Sequence, residues 1–308
     1  MPGEPLTRTA ERAGEIARSL KRELGPLPSG ISVSGFNASY GAVGEFDHYR
    51  KVPSPAAAAL AQVTSALGEA AGRTFLRAAL AQGIAELISS RRLDALPPRI
   101  RLHQSNQLER IAGAAESNAE WIDLGNNLFL KDFGLVTLRL YAAASNLLDL
   151  RCGISRSLIA KEGIAAAPKN ILKFARLGGF RPFIQIHTHL SYLDEFNEEG
   201  RNECYRCCVD LYQLKPALLG MFGSSWFYDP LLADISPRLN YLRDVPMAGG
   251  AELFFVGTGD GAIDGALITS QTRRKLYEAG RYLPTTYLIA WGKKAQTAWA
   301  ARNPRQAF

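Results

Sequence analysis

Phe183-Ile184-Gln185-Ile186-His187-Thr188-His189-Leu190 leads into a longer run, Ser191 to Gln213. The first eight residues are apolar and β-branched enough to predict a strand, and the apolar spacing over 194–213 predicts a helix. A strand feeding a helix is the unit from which α/β sheets are built, and ligands gather beyond the carboxyl ends of such strands. Downstream the pattern continues to alternate, predicting strand 217–228, helix 233–244, strand 251–257, helix 266–279 and strand 285–291. Upstream, Pro168 to Leu177 has helical spacing and is closed by Gly178-Gly179.

Further back the pattern changes. Leu128-Phe129-Leu130 and Leu135 to Tyr141 are rich in strand formers, a turn falls at Ala143 to Asn146, and Leu147 to Ile154 completes an expected antiparallel pair. The first third is read as mainly helical. Thr9 to Leu24 carries Ala10, Ala13, Ile16, Ala17 and Leu20 on one face, with Gly25-Pro26 as its stop. Ser54-Pro55 opens a second helical stretch reaching Arg92, and Pro97-Pro98 marks a boundary before a short strand and helix in 100–115. Residues 26–54 are read as irregular with one strand, and Gly35, Gly41 and Gly44 are spaced too loosely for a phosphate loop. The expected fold class is therefore α/β of the α+β kind. A mixed central sheet runs from about residue 120 onward, beneath an N-terminal helical layer. The corresponding division is a helical region over 1–118 and a mixed α/β domain over 119–308.

At 308 residues, 47% apolar and 21% charged, the chain has ordinary globular composition and enough length for a substantial core. Met1 to Arg22 holds five basic and three acidic residues and lacks the apolar core of a signal peptide. No stretch reaches the roughly 18 apolar residues of a spanning helix. A soluble cytoplasmic protein with no membrane partner is expected. The net charge of +7 favours an acidic partner such as a nucleotide cofactor or an acyl-carrier protein, while the scatter of the positives argues against nucleic acid. Cys204, Cys207 and Cys208 fall in one expected helix, which suits core packing better than a disulfide framework or a helix-start redox pair.

Three groups of residues carry candidate chemistry. On a strand, His187 and His189 project from the same face roughly 7 Å apart, and a His-x-His pair is a recurrent chelate for zinc or iron. Glu195 and Glu199 just downstream are carboxylate sources, with Glu199 completing a two-histidine, one-carboxylate set in a metal-dependent hydrolase or oxygenase. Ser224, Ser225, Trp226, Tyr228 and Asp229 concentrate polar and aromatic groups at an expected strand end, as a small-molecule pocket would. Arg273 and Arg274 on a basic helix suit a phosphate or carboxylate. Gly257-Thr258-Gly259-Asp260-Gly261 is read as a turn, because no Lys-Ser or Lys-Thr follows it.

From residue 127 the order of elements resembles the GNAT family of N-acyltransferases. That resemblance implies a central strand splayed from its neighbour to admit the pantetheine of acyl-coenzyme A. It also implies a pyrophosphate-binding loop at the start of the following helix, where this chain offers Asn197-Glu198-Glu199-Gly200-Arg201, with one glycine and two carboxylates. By the same resemblance Tyr241 stands where a general acid is often placed, with His187, His189 or Glu195 available to accept a proton. The implied activity is transfer of an acyl group from a thioester donor, acyl-CoA or an acyl-carrier thioester, to a small amine. A non-enzymatic partner-binding protein is the reading of a different class, and it expects no cleft near 187–229.

Overall fold

The computed structural model describes residues 4–41 and 48–304. The chain forms two compact units, one of residues up to Asp149 with His189–Leu193, the other of Leu150–Thr188 with the residues from Asp194 onward. Helices come first and a six-stranded mixed sheet interleaved with helices follows, an α/β fold as expected.

The first unit contains α1 (Glu4–Leu24), α2 (Val33–Gly41), α3 (Ser54–Leu67), α4 (Glu69–Ser89), α5 (Pro98–Glu116), α6 (Asn127–Val136) and strand β1 (Tyr141–Ala143), which pairs with β2 (Asn146–Cys152). α1 buries Ala13, Ile16, Ala17 and Leu20, the i, i+3, i+4, i+7 face read from the sequence. Its neighbour α4 is buried over Ala78 to Ile84, and a side chain at Gly83 would overlap Val136 of α6. Phe36, Tyr40, Phe75, Phe129 and Phe133 form one aromatic cluster, with centroids 5.4 Å apart for Phe36 and Phe75 and 4.4 Å for Tyr40 and Phe133. Each such ring contributes about 1.5–3 kcal/mol by leaving water.

Three readings change here. Residues 128–136 form a helix instead of strands: the Asn126 side chain accepts from Leu128 N at 2.8 Å as its cap, and Phe129 through Val136 are all buried. A segment buried on every side shows no period, so length and β-like composition mislead. Residues 33–41, read as irregular, are helical because Val33, Phe36, Asn37 and Tyr40 share one buried face, which outweighs the low propensity of Gly and Ser. Residues 98–116 are helical throughout, with no strand at their start. Gly44 lies outside the described residues.

The second unit contains α7 (Ala167–Leu177), β3 (Phe183–Thr188), α8 (Glu198–Leu214), β4 (Gly220–Ser225), α9 (Leu232–Ile235), α10 (Tyr241–Ala248), β5 (Glu252–Thr258), α11 (Asp260–Leu267), α12 (Gln271–Glu278), β6 (Thr285–Gly292) and α13 (Lys293–Arg302). The strand order is β1-β2-β3-β4-β6-β5, with β3 and β4 parallel and β6 antiparallel to both β4 and β5. One face of the sheet is covered by Phe174 and Leu177 of α7 against Phe183, Phe222, Phe254 and Leu288. Tyr205 of α8 and Trp299 of α13 meet Trp291 of β6 with centroids 5.4 and 5.2 Å away. Trp291 lies so close to Gly249 that any Cβ there would overlap its ring, and its indole N–H donates to the Gly249 carbonyl at 2.8 Å.

The expected helices over 233–244 and 266–279 are each divided. Pro237 follows the first break, between α9 and α10, and Ser270 caps the second, accepting from Arg273 N at 3.3 Å. α8 begins at Glu198, four residues later than its spacing implied, because Leu190–Glu195 form a 3-10 turn and Asn197 caps Gly200 N at 2.9 Å. All four cysteines are buried and none is in a disulfide.

Candidate functional site

β3 and β4 start as neighbours and then part. Leu219 N donates to the Pro182 carbonyl at 2.9 Å, and Ile184 pairs with Met221 and Gln185 with Phe222. Both strands continue for three more residues, Ile186–Thr188 and Gly223–Ser225, over which no β3–β4 pair forms among the described residues. On its other side β4 stays paired with β6 as far as Ser225 opposite Tyr287. The sheet thus opens as a fork at the carboxyl ends of two parallel strands.

Gly223 is the first β4 residue inside the fork, and a Cβ there would overlap the Tyr228 hydroxyl. The strand exit explains how Tyr228 reaches back: Ser225 Oγ accepts from Phe227 N at 3.2 Å and tightens residues 226–228 into a 3-10 turn. Arg201, one turn into α8, donates from Nη2 to the Tyr228 oxygen at 2.5 Å and from Nε to the Tyr205 oxygen at 3.0 Å, while Tyr205 donates onward to the Leu242 carbonyl at 3.4 Å. All three side chains are buried. Burial opposes the Arg201 charge, but Tyr205, Tyr228 and Cys204 more than offset it and its pKa moves up. Burial also raises the Tyr228 phenol, which Arg201 only partly counters, so at neutral pH a cation faces two neutral phenols.

The other residues of the aromatic and polar run serve the turn. Asp229 is buried, its Oδ1 accepting from Leu231 N at 3.0 Å and its Oδ2 from Thr285 N at 3.2 Å, which ties the exit of β4 to the start of β6. Burial pushes its pKa up, with the two backbone N–H groups and Arg243 acting against it. Arg273 stacks 4.7 Å over Trp226 and spends its donors on the Ala266 carbonyl at 2.6 Å and Ser236 Oγ at 3.0 Å. Ser224 and Arg274 are exposed. The Tyr241 hydroxyl donates to the Phe196 carbonyl at 3.3 Å. Glu195 and Glu199 are exposed, in the 3-10 turn and in the first turn of α8.

His187 is half-buried on β3. β3 ends at Thr188, so the alternation that would put both imidazoles on one face stops before His189. His189 belongs to the first unit, where it is 1% exposed and its Nε2 lies 3.1 Å from Oδ1 of Asp132 on α6. Arg110 of α5 meets the same carboxylate oxygen, and the carboxyl group is fully buried. The adjacent Lys131 has its pKa lowered to about 8, by burial first and by Arg50 second, against the pull of Asp132.

Arg201 and Asp132 are two of the buried charged residues that the sequence did not single out as site residues, alongside Arg139, Asp149 and Glu203. Arg201 and Tyr205 stand at i and i+4 of one helix, a spacing that would have paired them. Asp132 sat in a stretch read as strands.

No protein-family model matches this chain, and no curated protein matches it. A solved structure that resembles it is an acyltransferase in complex with decanoyl-CoA, at 14% sequence identity and a TM-score of 0.44, covering 92% of this chain and 98% of that one.

Proposed function

We propose that this protein transfers an acyl group from a thioester donor to a small amine. The observation that carries the reading is the fork: β3 and β4 pair through Gln185 and Phe222 and then run on unpaired with each other to Thr188 and Ser225. Paired strands lie roughly 4.8 Å apart, too close for a ligand between them, and a divergence exposes strand edges to which an extended arm bearing amides can bond as a short extra strand. A pantetheine arm has that shape. The order of the strands, with a parallel pair at the centre followed by two antiparallel ones, agrees with the GNAT-type arrangement inferred from element order.

In this reading His187, on the open arm of β3, takes the proton released by the attacking amine, and Ser224 at the end of β4 contacts the donor. Tyr241 is engaged with the Phe196 carbonyl and steadies the approach to α8. Asn197 and the exposed Glu198 and Glu199 at the start of α8 disfavour a pyrophosphate there, because the carboxylates already answer the positive helix end. The donor is therefore recognised mainly through its acyl-pantetheine portion. Isothermal titration with acetyl-, butyryl- and octanoyl-CoA, and with the same acyl esters of pantetheine, tests this. Heat from the pantetheine esters comparable to that from the coenzyme esters is expected, and no heat from any of them removes the proposal.

A further inference from the structure

We infer, independently of how the fork is read, that the outer face of α7 docks an acidic amphipathic helix of a second protein. α7 packs Phe174 and Leu177 onto the sheet, and with Asn170 and Lys173 they form its buried side. The opposite side is apolar too. Pro168, Ile171, Leu172 and Ala175, at i, i+3, i+4 and i+7, are all exposed, Ile171 by 54% and Leu172 by 50%. The 3-10 turn Ile164–Ala166 leads directly into α7 and adds Ile164, 89% exposed. The outward side of a surface helix is ordinarily polar, and this spacing is the seam by which two helices pack. Single exposed apolar residues are common on any protein, whereas three large ones on one short segment make a patch.

The charges around the stripe select the partner. Among the described residues between 156 and 181, the exposed charged side chains are Arg156, Lys161, Lys169, Arg176 and Arg181 against the single carboxylate of Glu162. Glu162 already accepts from Asn170 Nδ2 at 3.3 Å, and Arg176 meets Glu252 at 3.2 Å. Arg176 also lines a cleft of about 530 Å³ at the carboxyl end of α7, together with Leu177, Leu219, Ala295 and Ala298 and the cations Lys293 and Lys294. A cleft at the end of an apolar stripe accepts an anchoring side chain from a helix laid along that stripe, and carboxylates on the helix's flanks meet the surrounding cations. A second copy of this chain would set like charges against each other across the same seam, which disfavours self-association. An anionic bilayer would answer the cations and the stripe but leave the cleft unfilled, whereas a helix side chain occupies it.

The probe is a fluorescein-labelled peptide of about 18 residues, with leucine at i, i+3, i+4 and i+7 and glutamate on the flanks, and a companion peptide has lysine in place of each glutamate. Anisotropy titration against the full chain should show saturable binding of the glutamate peptide, weakening several-fold from about 0.05 to about 0.3 M salt, and no binding of the lysine peptide. The double variant Ile171→Ser with Leu172→Ser should weaken binding about 10-fold or more, and Lys169→Glu roughly 3-fold. Leu102→Ser replaces a leucine of α5 that is 55% exposed and should change nothing. All of these positions are exposed, so each variant should keep the wild-type melting midpoint. No binding of the glutamate peptide, equal binding of both peptides, or binding indifferent to the α7 substitutions overturns the assignment. Sedimentation with vesicles of phosphatidylcholine and phosphatidylserine that requires Ile171 and Leu172, without peptide binding, overturns it in favour of a lipid surface. A dimer of the full chain that the double variant abolishes overturns it in favour of a second copy.

Discussion

Each unit buries a charged side chain in a small hydrogen-bonded cluster, and the two clusters are built on opposite terms. In the first, the Asp132 carboxylate meets the Arg110 guanidinium and the His189 imidazole, so the anion is answered by a cation and a ring nitrogen. In the second, the Arg201 guanidinium meets the Tyr205 and Tyr228 hydroxyls, which are neutral at ordinary pH. A charge answered by an opposite charge is a clamp: it joins α5, α6 and the segment that begins at His189, and it resists further change. A charge answered by polarisable neutral groups retains the capacity to stabilise new negative charge beside it. Burial alone therefore does not tell the two clusters apart, whereas the Arg110 guanidinium in one and the two phenols in the other do.

The strongest way to break this contrast is to remove Asp132. Asp132→Ala leaves Arg110 and His189 around an empty site and should cost about 3 kcal/mol or more, read as a shift in the urea midpoint at constant m-value. A cost under about 1 kcal/mol would show that the cluster is no clamp. At the fork, Gly223→Ala forces a methyl group against the Tyr228 hydroxyl and should cost about 1–3 kcal/mol. In the double variant with Tyr228→Phe that cost should fall below the sum of the single ones, because the overlapping oxygen is gone; strict additivity would mean the two residues do not touch.

pH sharpens the contrast with opposite signs. Lys131 in the first unit titrates near 8 when folded and near its ordinary value of 10.5 when unfolded, so between those values the unfolded chain binds more protons and stability rises with pH. The rise should be on the order of 1 kcal/mol per pH unit, and Lys131→Met should flatten it. Tyr205 and Tyr228 have folded pKa values above their ordinary 10.0, burial being the chief cause, so their contribution is intact below pH 10 and declines as pH climbs beyond it. Tyr228→Phe should reduce that alkaline decline in chemical-denaturation curves taken from pH 9 upward. The smallest effect belongs to Arg273, whose replacement by Lys keeps the charge over Trp226 but loses the forked bonds to Ala266 and Ser236; a cost of about 1 kcal/mol is expected from the melting midpoint.

Much of the second unit is legible from local pattern. β3 and β4 fall within the expected strand segments and β5 and β6 overrun theirs by one residue each, because half-buried strands bounded by glycine, proline and polar turns write their period into adjacent residues. α6 is not legible in this way. A helix buried all round has no polar face to reveal its period, and with it Asp132 vanished from view. Among the candidate residues, the crowding of aromatic and polar groups at a strand end pointed to Tyr228 and Asp229 alike and the basic helix pointed to Arg273, yet the fold commits Asp229 to backbone N–H groups and Arg273 to the Ala266 carbonyl and Ser236. Spacing says that a side chain stands near a strand end, and it is silent on which acceptor its donors find.

By itself the sequence determined the order and kind of most elements after residue 140, the placing of Cys204, Cys207 and Cys208 in one helix and the helical start, all consequences of propensity and period over a few neighbouring residues. Only the tertiary structure decided that β3 and β4 separate after two pairs, that Arg201 from α8 meets Tyr228 from beyond β4, and that His189 is committed to Asp132, 57 residues away. These depend on contacts between distant segments, whose closure entropy is repaid by burial and hydrogen bonding that no local window contains.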